Sequence, residues 1–337
     1  MKAVGYTATG PIDRPNALID FEADQPSATG HDLLVKVDAI SVNPVDTKIR
    51  QRRAPKHGTP EVLGWDAAGE VVGCGEAVID FSVGDRVYYA GAVNRPGTNS
   101  EFHLVDARIV GKAPGSISTS AAAAMPLTAL TAYEMLFDRL RINHPVPGGK
   151  KTLLVIGGEG GVGSITIQLA RALSDVTIIA TASRPETKAW VEALGAHHVI
   201  SHAAPLGPQI TALGVGSVDF VTSTTHSHLY SEEVAGIMTP QGRYGLIDDP
   251  ETFDIIPFKP KAISVHWEFM FTRPMFETAD MQRQGDILNE VAALIDKGQV
   301  KSTVAENFGT INAANLIKAH KLLESGRSKG KIVLEGF

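Results

Sequence analysis

The sequence predicts an α/β protein in which a doubly wound parallel sheet follows a small, twisted, mostly antiparallel β domain. Three features carry this reading. Residues 153–173 join an apolar strand, a glycine turn and a helix. Strands and helices alternate after residue 150, whereas residues 2–88 hold short strands separated by glycine turns. At the first feature, Leu153 to Ile156 suit a strand buried on both faces. Gly158, Gly160 and Gly163 then spell G-x-G-x-x-G, with Gly161 and Val162 between them, and Ser164 to Leu173 carry apolar residues at helical spacing. Strand, turn and helix come in the order that a dinucleotide site requires. Glycines let the backbone approach a pyrophosphate, and the helix start offers free N–H groups and partial positive charge. The plain alternative is a glycine turn with no ligand, and the flanking strand and helix weigh against it.

At 337 residues the chain is long enough for two cored domains. A net charge of −6 disfavours a general binder of nucleic acid or anionic membrane. Cys74 is the only cysteine, so neither an internal disulfide nor a four-cysteine zinc site can form. No apolar run approaches a membrane span, and Met1 to Tyr6 does not read as a signal peptide, so a cytoplasmic protein is expected.

In chain order, residues 2–6 read as a strand and 31–42 as a long one. A turn and short helix follow over 43–50, with Pro44 near the start, and then a basic surface loop over 51–60. Residues 63–75 and 81–88 are further strands. A helix over 116–124, capped by Ser118 to Ser120, is interrupted at Met125-Pro126 and resumes over 127–136. Residues 144–151 link into the glycine-turn strand. Beyond it, 176–181, 198–200, 217–221, 242–247 and 262–266 are the remaining strands, with helices at 185–194 and 231–238. Residues 286–296 form an amphipathic helix, and the strand at 331–334 could rejoin the first domain.

The whole chain resembles the medium-chain dehydrogenase/reductase superfamily, and within it the zinc-free quinone oxidoreductases. The resemblance rests on Gly64-x-Asp66-x-Ala68-Gly69-x-Val71, Val83 to Val87, Leu130 to Tyr133, Gly158 to Gly163, Leu194-Gly195-Ala196-x-x-Val199-Ile200 and Gly330 to Leu334. Residues 247–250, 266–271 and 309–312 are similar to a subgroup called zinc-type alcohol dehydrogenase-like. The resemblance implies a GroES-like catalytic domain, residues 1–126 with 270–337, around an inserted Rossmann domain, 127–269, and a homodimer.

In the zinc enzymes of this superfamily a G-H-E-x-x-G stretch supplies a histidine ligand. Here the frame reads Gly64-Trp65-Asp66-Ala67-Ala68-Gly69, and an indole cannot coordinate zinc. The other two catalytic ligand positions fall near 45–47 and 125–127, where there is neither Cys nor His. Only Asp46 or Asp66 is on offer, so no active-site metal is expected. His197-His198 and His226-x-His228 read first as solvated loop residues.

An acid after the second strand of the sheet would bind the ribose hydroxyls of NADH. That position reads Ala182-Ser183-Arg184. A 2′-phosphate would meet the Ser183 hydroxyl and the Arg184 guanidinium, and in the quinone oxidoreductases a lysine at the Lys188 position binds it too. NADPH is therefore the expected cofactor, with Glu186 the discordant residue and a solvated basic helix start the plain alternative.

Without a Lewis acid, a plain ketone or alcohol is a difficult substrate. A quinone or α,β-unsaturated carbonyl accepts hydride at an activated carbon. By resemblance, Asn43 and Thr131 contact substrate or nicotinamide. Tyr133 is a further donor candidate, against which stands ordinary core packing. Lys48 replaces a common family Tyr, which points to a more polar or anionic acceptor. Trp65, Trp267 and Phe269 make either an apolar wall for a flat acceptor or core and dimer packing. Asp248-Asp249 has no account from sequence. The expected function is an NADPH-dependent reductase of quinones or enones. The alternatives are an NADP-dependent alcohol dehydrogenase and a non-catalytic NADPH-binding protein of the crystallin or RNA-binding kind.

Overall fold

The computed structural model describes every residue except His57, which lies in the expected 51–60 loop. The chain forms two compact units. One comprises Met1–Leu130, Phe271–Gly298 and Ser302–Phe337, and the other Thr131–Met270 with Gln299–Lys301.

The first unit opens with β1 (Lys2–Tyr6), β2 (Ile19–Glu22), β3 (Asp32–Val42), α1 (Pro44–Arg52) and β4 (Glu61–Val62). It continues through β5 (Asp66–Cys74), β6 (Arg86–Tyr89), β7 (Phe102–Asp106), β8 (Val110–Lys112) and α2 (Thr119–Ala123) into α3 (Pro126–Tyr133). Asn43 stands at the N-cap of α1, Pro44 takes the first helical position, and the Asp46 carboxylate accepts from Asn43 N at 2.8 Å. The helix runs on through Arg52, two residues into the stretch expected to be loop. α2 starts where expected because Ser118 Oγ accepts from Ala121 N at 3.2 Å. Pro126 then opens α3.

In the second unit, a π-helical turn (Glu134–Arg139) extends α3. Its signature is the Leu140 N donation to Met135 O at 2.8 Å, five residues back. There follow β9 (Thr152–Ile156), α4 (Gly161–Leu173), β10 (Thr177–Thr181), α5 (Pro185–Ala193), β11 (His198–Ile200) and α6 (Leu206–Leu213). The unit ends with β12 (Val218–Ser223), α7 (Ser227–Ile237), β13 (Met238–Leu246) and β14 (Ser264–Trp267). The sheet is wholly parallel, in the order β11-β10-β9-β12-β13-β14. Numbered along the unit this is 3-2-1-4-5-6, the order of a doubly wound dinucleotide fold. All five residues of β9, at the centre, are buried. Leu154, Ile179, Val221, Val234 and Leu246 belong to the core built on this sheet.

Two elements here depart from expectation. α7 begins at Ser227 rather than 231, because the Asp248 carboxylate accepts from Ser227 N at 2.8 Å and from Ser227 Oγ at 2.5 Å. A carboxylate at a helix start satisfies orphan N–H groups and meets the positive end of the dipole. That gives Asp248 the account its sequence position lacked. α6 was not expected at all, although Pro205 before it and the left-handed Gly214 after it are ordinary boundary signals.

The chain returns through α8 (Thr272–Phe276), α9 (Arg283–Asp296), β15 (Val304–Asn307), α10 (Ala313–Glu324) and β16 (Lys331–Glu335). α10, also unexpected, is capped by Asn312, whose Oδ1 accepts from Asn315 N at 2.8 Å. β16 pairs antiparallel with β3, so the tail does rejoin the first unit. The main sheet there runs β15-β16-β3-β5-β6-β8, with β7 also on β3, and only its β15–β16 pair is parallel. α9 packs on β8 so tightly that a Cβ at Gly111 would lie 2.5 Å from the Leu288 Cβ. A fully buried Arg50 ties α1 to α10 through Glu324 and, at 3.4 Å, His320.

Candidate functional site

The glycine turn sits where the sequence placed it, between β9 and α4, with Gly160 as N-cap and Gly161 as the first helical residue. Its glycines answer to different demands. Gly157 has φ +79°, and a Cβ there would lie 2.3 Å from Thr224 Oγ1. A Cβ on Gly163 would meet Gly157 O at 2.2 Å, so close helix–strand packing requires that glycine. One on Gly158 would press on the Ala180 Cβ at 3.0 Å. At Gly160 the nearest atom would be Gly157 O at 3.6 Å, an ordinary contact, and φ is −70°. The protein itself therefore does not need a glycine at 160. What its missing side chain keeps clear is the mouth of the helix.

β10 ends at Thr181, whose Oγ1 accepts from Gly157 N at 2.9 Å. Ser183 is half-buried in the loop that follows, and Arg184 is the N-cap of α5. Lys188 lies one turn into that helix, its N donating to Arg184 O at 2.9 Å. Glu186, the discordant acid, pairs with Arg184 Nε at 3.2 Å, and both side chains keep contact with solvent.

In the first unit, the frame that would carry metal ligands converges on one carboxylate. Asp66 Oδ2 accepts from the Asn43 amide at 2.8 Å and from Lys331 Nζ at 3.1 Å, and Oδ1 accepts from Leu127 N at 2.8 Å. Lys331, from β16, also donates to Val42 O at 3.2 Å and to Asn43 Oδ1. Asp66 thus holds together the 43–47 turn and the 125–127 segment, and the cation facing it is the chain's own. Lys331 is 3% exposed and Asp66 0%, so neither charge is compensated by water. Burial raises the Asp66 pKa, and Lys331 and Asn43 oppose that rise. Asp46, nearby on α1, is pushed up to about 7 by burial, and its Oδ1 has no partner among the described residues. Lys331 escaped the sequence reading as a site residue. The signal was present, since it is a lone cation entering an apolar buried strand, Ile332 to Leu334.

The other candidates are scattered between the units. Asn43 is 1% exposed, its amide nitrogen donates to Asp66 and, at 3.3 Å, to Ser41 O, and its oxygen accepts from Lys331, so both of its N–H donors are engaged within the chain. Trp65 is 0% exposed, its indole N–H donates to Ala92 O at 3.0 Å, and Phe271 and Arg53 lie against its ring. It is packed in the core of the first unit, immediately before β5, and lines no open surface. Thr131 and Tyr133 lie on α3 in the second unit, both buried, with Phe137 4.7 Å from the Tyr133 ring. Trp267 ends β14 and is 55% exposed. The loop histidines have protein partners: His197 Nδ1 accepts from Ile178 N at 2.9 Å, and His226 Nδ1 lies 2.7 Å from Thr225 Oγ1.

Comparison with known proteins agrees with this architecture. The Alcohol dehydrogenase GroES-like domain family matches residues 29–127, and the Zinc-binding dehydrogenase family matches residues 194–334. A zinc-type alcohol dehydrogenase-like protein of Staphylococcus aureus is 39% identical over 336 residues, 99% of each chain. A quinone-oxidoreductase homolog of spinach chloroplasts is 31% identical over 224 residues, 66% of this chain and 67% of its own. A Rhizobium etli protein described as a zinc-dependent alcohol dehydrogenase has a solved structure that superposes with a TM-score of 0.99. It is 54% identical, over 100% of this chain and 98% of its own. The chain belongs to the medium-chain dehydrogenase/reductase superfamily of oxidoreductases, among its zinc-type alcohol dehydrogenase-like members.

Proposed function

We propose that this chain is an NADPH-dependent oxidoreductase that delivers a hydride to a quinone or an α,β-unsaturated carbonyl without a catalytic zinc. The observation that carries the reading is the Asp66 cluster. The relatives' names imply zinc, and these residues do not fit it. Zinc takes about four N, S or O donors in tetrahedral array. The cluster offers an amide, an Asp66 carboxylate already engaged by N–H donors and one unpartnered oxygen of Asp46, with an ammonium, which is no ligand, set against them. The catalytic steps proposed here therefore use no Lewis acid, which favours acceptors activated by their own conjugation. The quinone-oxidoreductase name of the spinach relative is in keeping with that class.

A nicotinamide dinucleotide does fit the second unit. Gly160 keeps the mouth of α4 clear, so its N–H groups would hold the pyrophosphate. Ser183, Arg184 and Lys188 would hold a 2′-phosphate, where an acid would be expected for NADH. The dinucleotide supplies the hydride when bound. The residues then bind, orient and exclude water. Thr131 and Tyr133 are the proposed polar groups toward the nicotinamide, Trp267 and Phe269 the proposed apolar wall, and Asn43 a positioning residue that fixes the turn before α1.

The test is NADPH and NADH oxidation across a panel of quinones and enones, beside alcohol oxidation with NADP+. Turnover of a quinone or enone with NADPH preferred supports the reading. The names of the Staphylococcus and Rhizobium relatives favour a second reading, an alcohol dehydrogenase, which alcohol oxidation without quinone or enone turnover would establish. Tight NADPH binding with no turnover at all would leave a non-catalytic binding protein.

A further inference from the structure

The second unit buries two carboxyl side chains against each other, away from the glycine turn. Glu134 is 1% exposed and Glu268 is 3% exposed. Glu268 follows β14 directly, and its N donates to Leu246 O at 3.1 Å, which fixes it at the carboxyl edge of the sheet. Glu134 opens the π-helical turn at the end of α3, and its carboxyl lies within hydrogen-bonding reach of Glu268. Arg139 closes the same turn and donates through Nε to Glu268 Oε2 at 2.7 Å. The wider π-helical turn brings residues five apart toward one side, which lets both Glu134 and Arg139 reach one carboxyl.

The balance of donors is incomplete as it stands. Glu268 Oε2 has Arg139, but Oε1 is buried and faces no N–H or O–H donor among the described residues. Two buried carboxyls in contact would also repel each other if both were ionised, which is strongly disfavoured. One proton held between the two carboxyls solves both problems: it gives Oε1 a partner and removes the like-charge repulsion.

We infer that Glu134 and Glu268 share a single proton, and that this shared proton locks the carboxyl edge of β14 to the end of α3 that bears Thr131 and Tyr133. Both acids are positioning residues in this account, because neither needs to touch cofactor or substrate. Ligands of open α/β sheets lie beyond the carboxyl ends of the strands, so the lock bears on the nicotinamide end of the proposed pocket. This last step rests on the proposed cofactor reading, whereas the shared proton does not.

Burial pushes the Glu268 carboxyl well above the usual carboxylate range, and the neighbouring Glu134 adds to the rise, while Arg139 opposes it. The pair titrates as a unit. The charged groups that act on Glu268 are Glu134 and Arg139 of the π-helical turn, and His266 on β14 in turn faces Arg139, Arg141 and Arg243. A carboxyl protonated in the fold and ionised in the unfolded chain stabilises the fold most at low pH. That stabilisation is lost as pH rises through the folded-state titration.

Infrared difference spectroscopy on the full-length protein tests the proton itself. A carboxylic-acid C=O stretch at neutral pH that is lost in Glu268→Gln and in Glu134→Gln but kept in Asp46→Asn is the expected result. Two Gln variants are used so that one misfolded protein does not decide the matter. The lock is tested by NADPH affinity and thermal midpoint against pH. In the unmutated protein, affinity should fall about tenfold per pH unit above the transition. Glu268→Gln, whose amide stays neutral and can still donate, should keep its affinity across the same range. Glu268→Ala should bind weakly at every pH. Absence of the acid band at neutral pH, or an alkaline loss of midpoint that persists unchanged in both Gln variants, overturns the inference. If NADPH fails to bind while the acid band is present, the cofactor reading fails and the proton pair stands.

Discussion

The glycine turn of the second unit and the Asp66 cluster of the first are built on opposite principles. At Gly160 a side chain could be accommodated and has been omitted, since a Cβ would meet nothing closer than 3.6 Å. At Asp66 every oxygen has a partner, and the counter-charge comes from Lys331 of the same chain. The first leaves room that the chain itself does not fill, and the second fills its carboxylate with the chain's own donors. A relative's name cannot distinguish these cases, but the donor inventory can. A polar site whose groups are all satisfied by the chain serves the fold, and a half-buried glycine turn with unfilled space at a helix start is the place to test for a ligand.

The sharpest way to break this comparison is to remove the internal cation. Lys331→Met leaves the Asp66 carboxylate buried and unpaired, and should destabilise the fold by roughly 3–5 kcal/mol in denaturant unfolding. The double variant Lys331→Met with Asp66→Asn should recover a large part of that loss, because the uncompensated charge is gone. A Lys331→Met protein of unchanged stability would mean that the pair is not a structural unit.

Next come the glycines. Gly163→Ala drives a Cβ to 2.2 Å from Gly157 O, so the thermal midpoint should drop steeply. Gly160→Ala should shift unfolding by less than about 1 kcal/mol, as its φ of −70° suits alanine, and yet weaken NADPH binding. If the two variants lose stability equally, the distinction drawn between them is wrong. Arg184→Glu, which also sets two acids together at the start of α5, should weaken NADPH by about a hundredfold, ~2.7 kcal/mol, with NADH little changed. Isothermal titration with both cofactors measures this directly.

The smallest effect is expected at Asp46. Its carboxyl is pushed up to about 7 by burial, so its contribution to stability is full below its unfolded value and is lost as pH rises through neutrality. Asp46→Asn should therefore match the unmutated protein at low pH and lose less stability between about pH 4 and pH 7. An identical pH profile in the two proteins would show that Asp46 ionises normally.

The parallel sheet was legible because its signals are local. β9 is an unbroken apolar run, the glycines follow at fixed spacing, and Gly195 and Pro185 mark the bounds of α5. The antiparallel unit was legible as a class but not in detail, since β16 pairs with β3 from the far end of the chain, and Ala313 N at the start of α10 donates to Asp20 Oδ1, 293 residues away. α7 shows the limit most clearly: its first turn is set by Asp248, 21 residues away, and no window around Ser227 contains that carboxylate. The Asp66 cluster was half legible. Trp65 in place of a histidine could be read directly, but Lys331 lies 265 residues from Asp66, and only the pairing of β16 with β3 brings the two together. Glu134 and Glu268, 134 positions apart, were hidden for the same reason.

Metal content measured together with turnover tests the central claim most directly. The purified protein is treated with a strong chelator, its zinc is measured by elemental analysis, and NADPH oxidation by a quinone or enone is followed before and after. The account predicts far less than one zinc per chain and a rate unchanged by the chelator. Stoichiometric zinc whose removal abolishes turnover and whose return restores it would contradict the account.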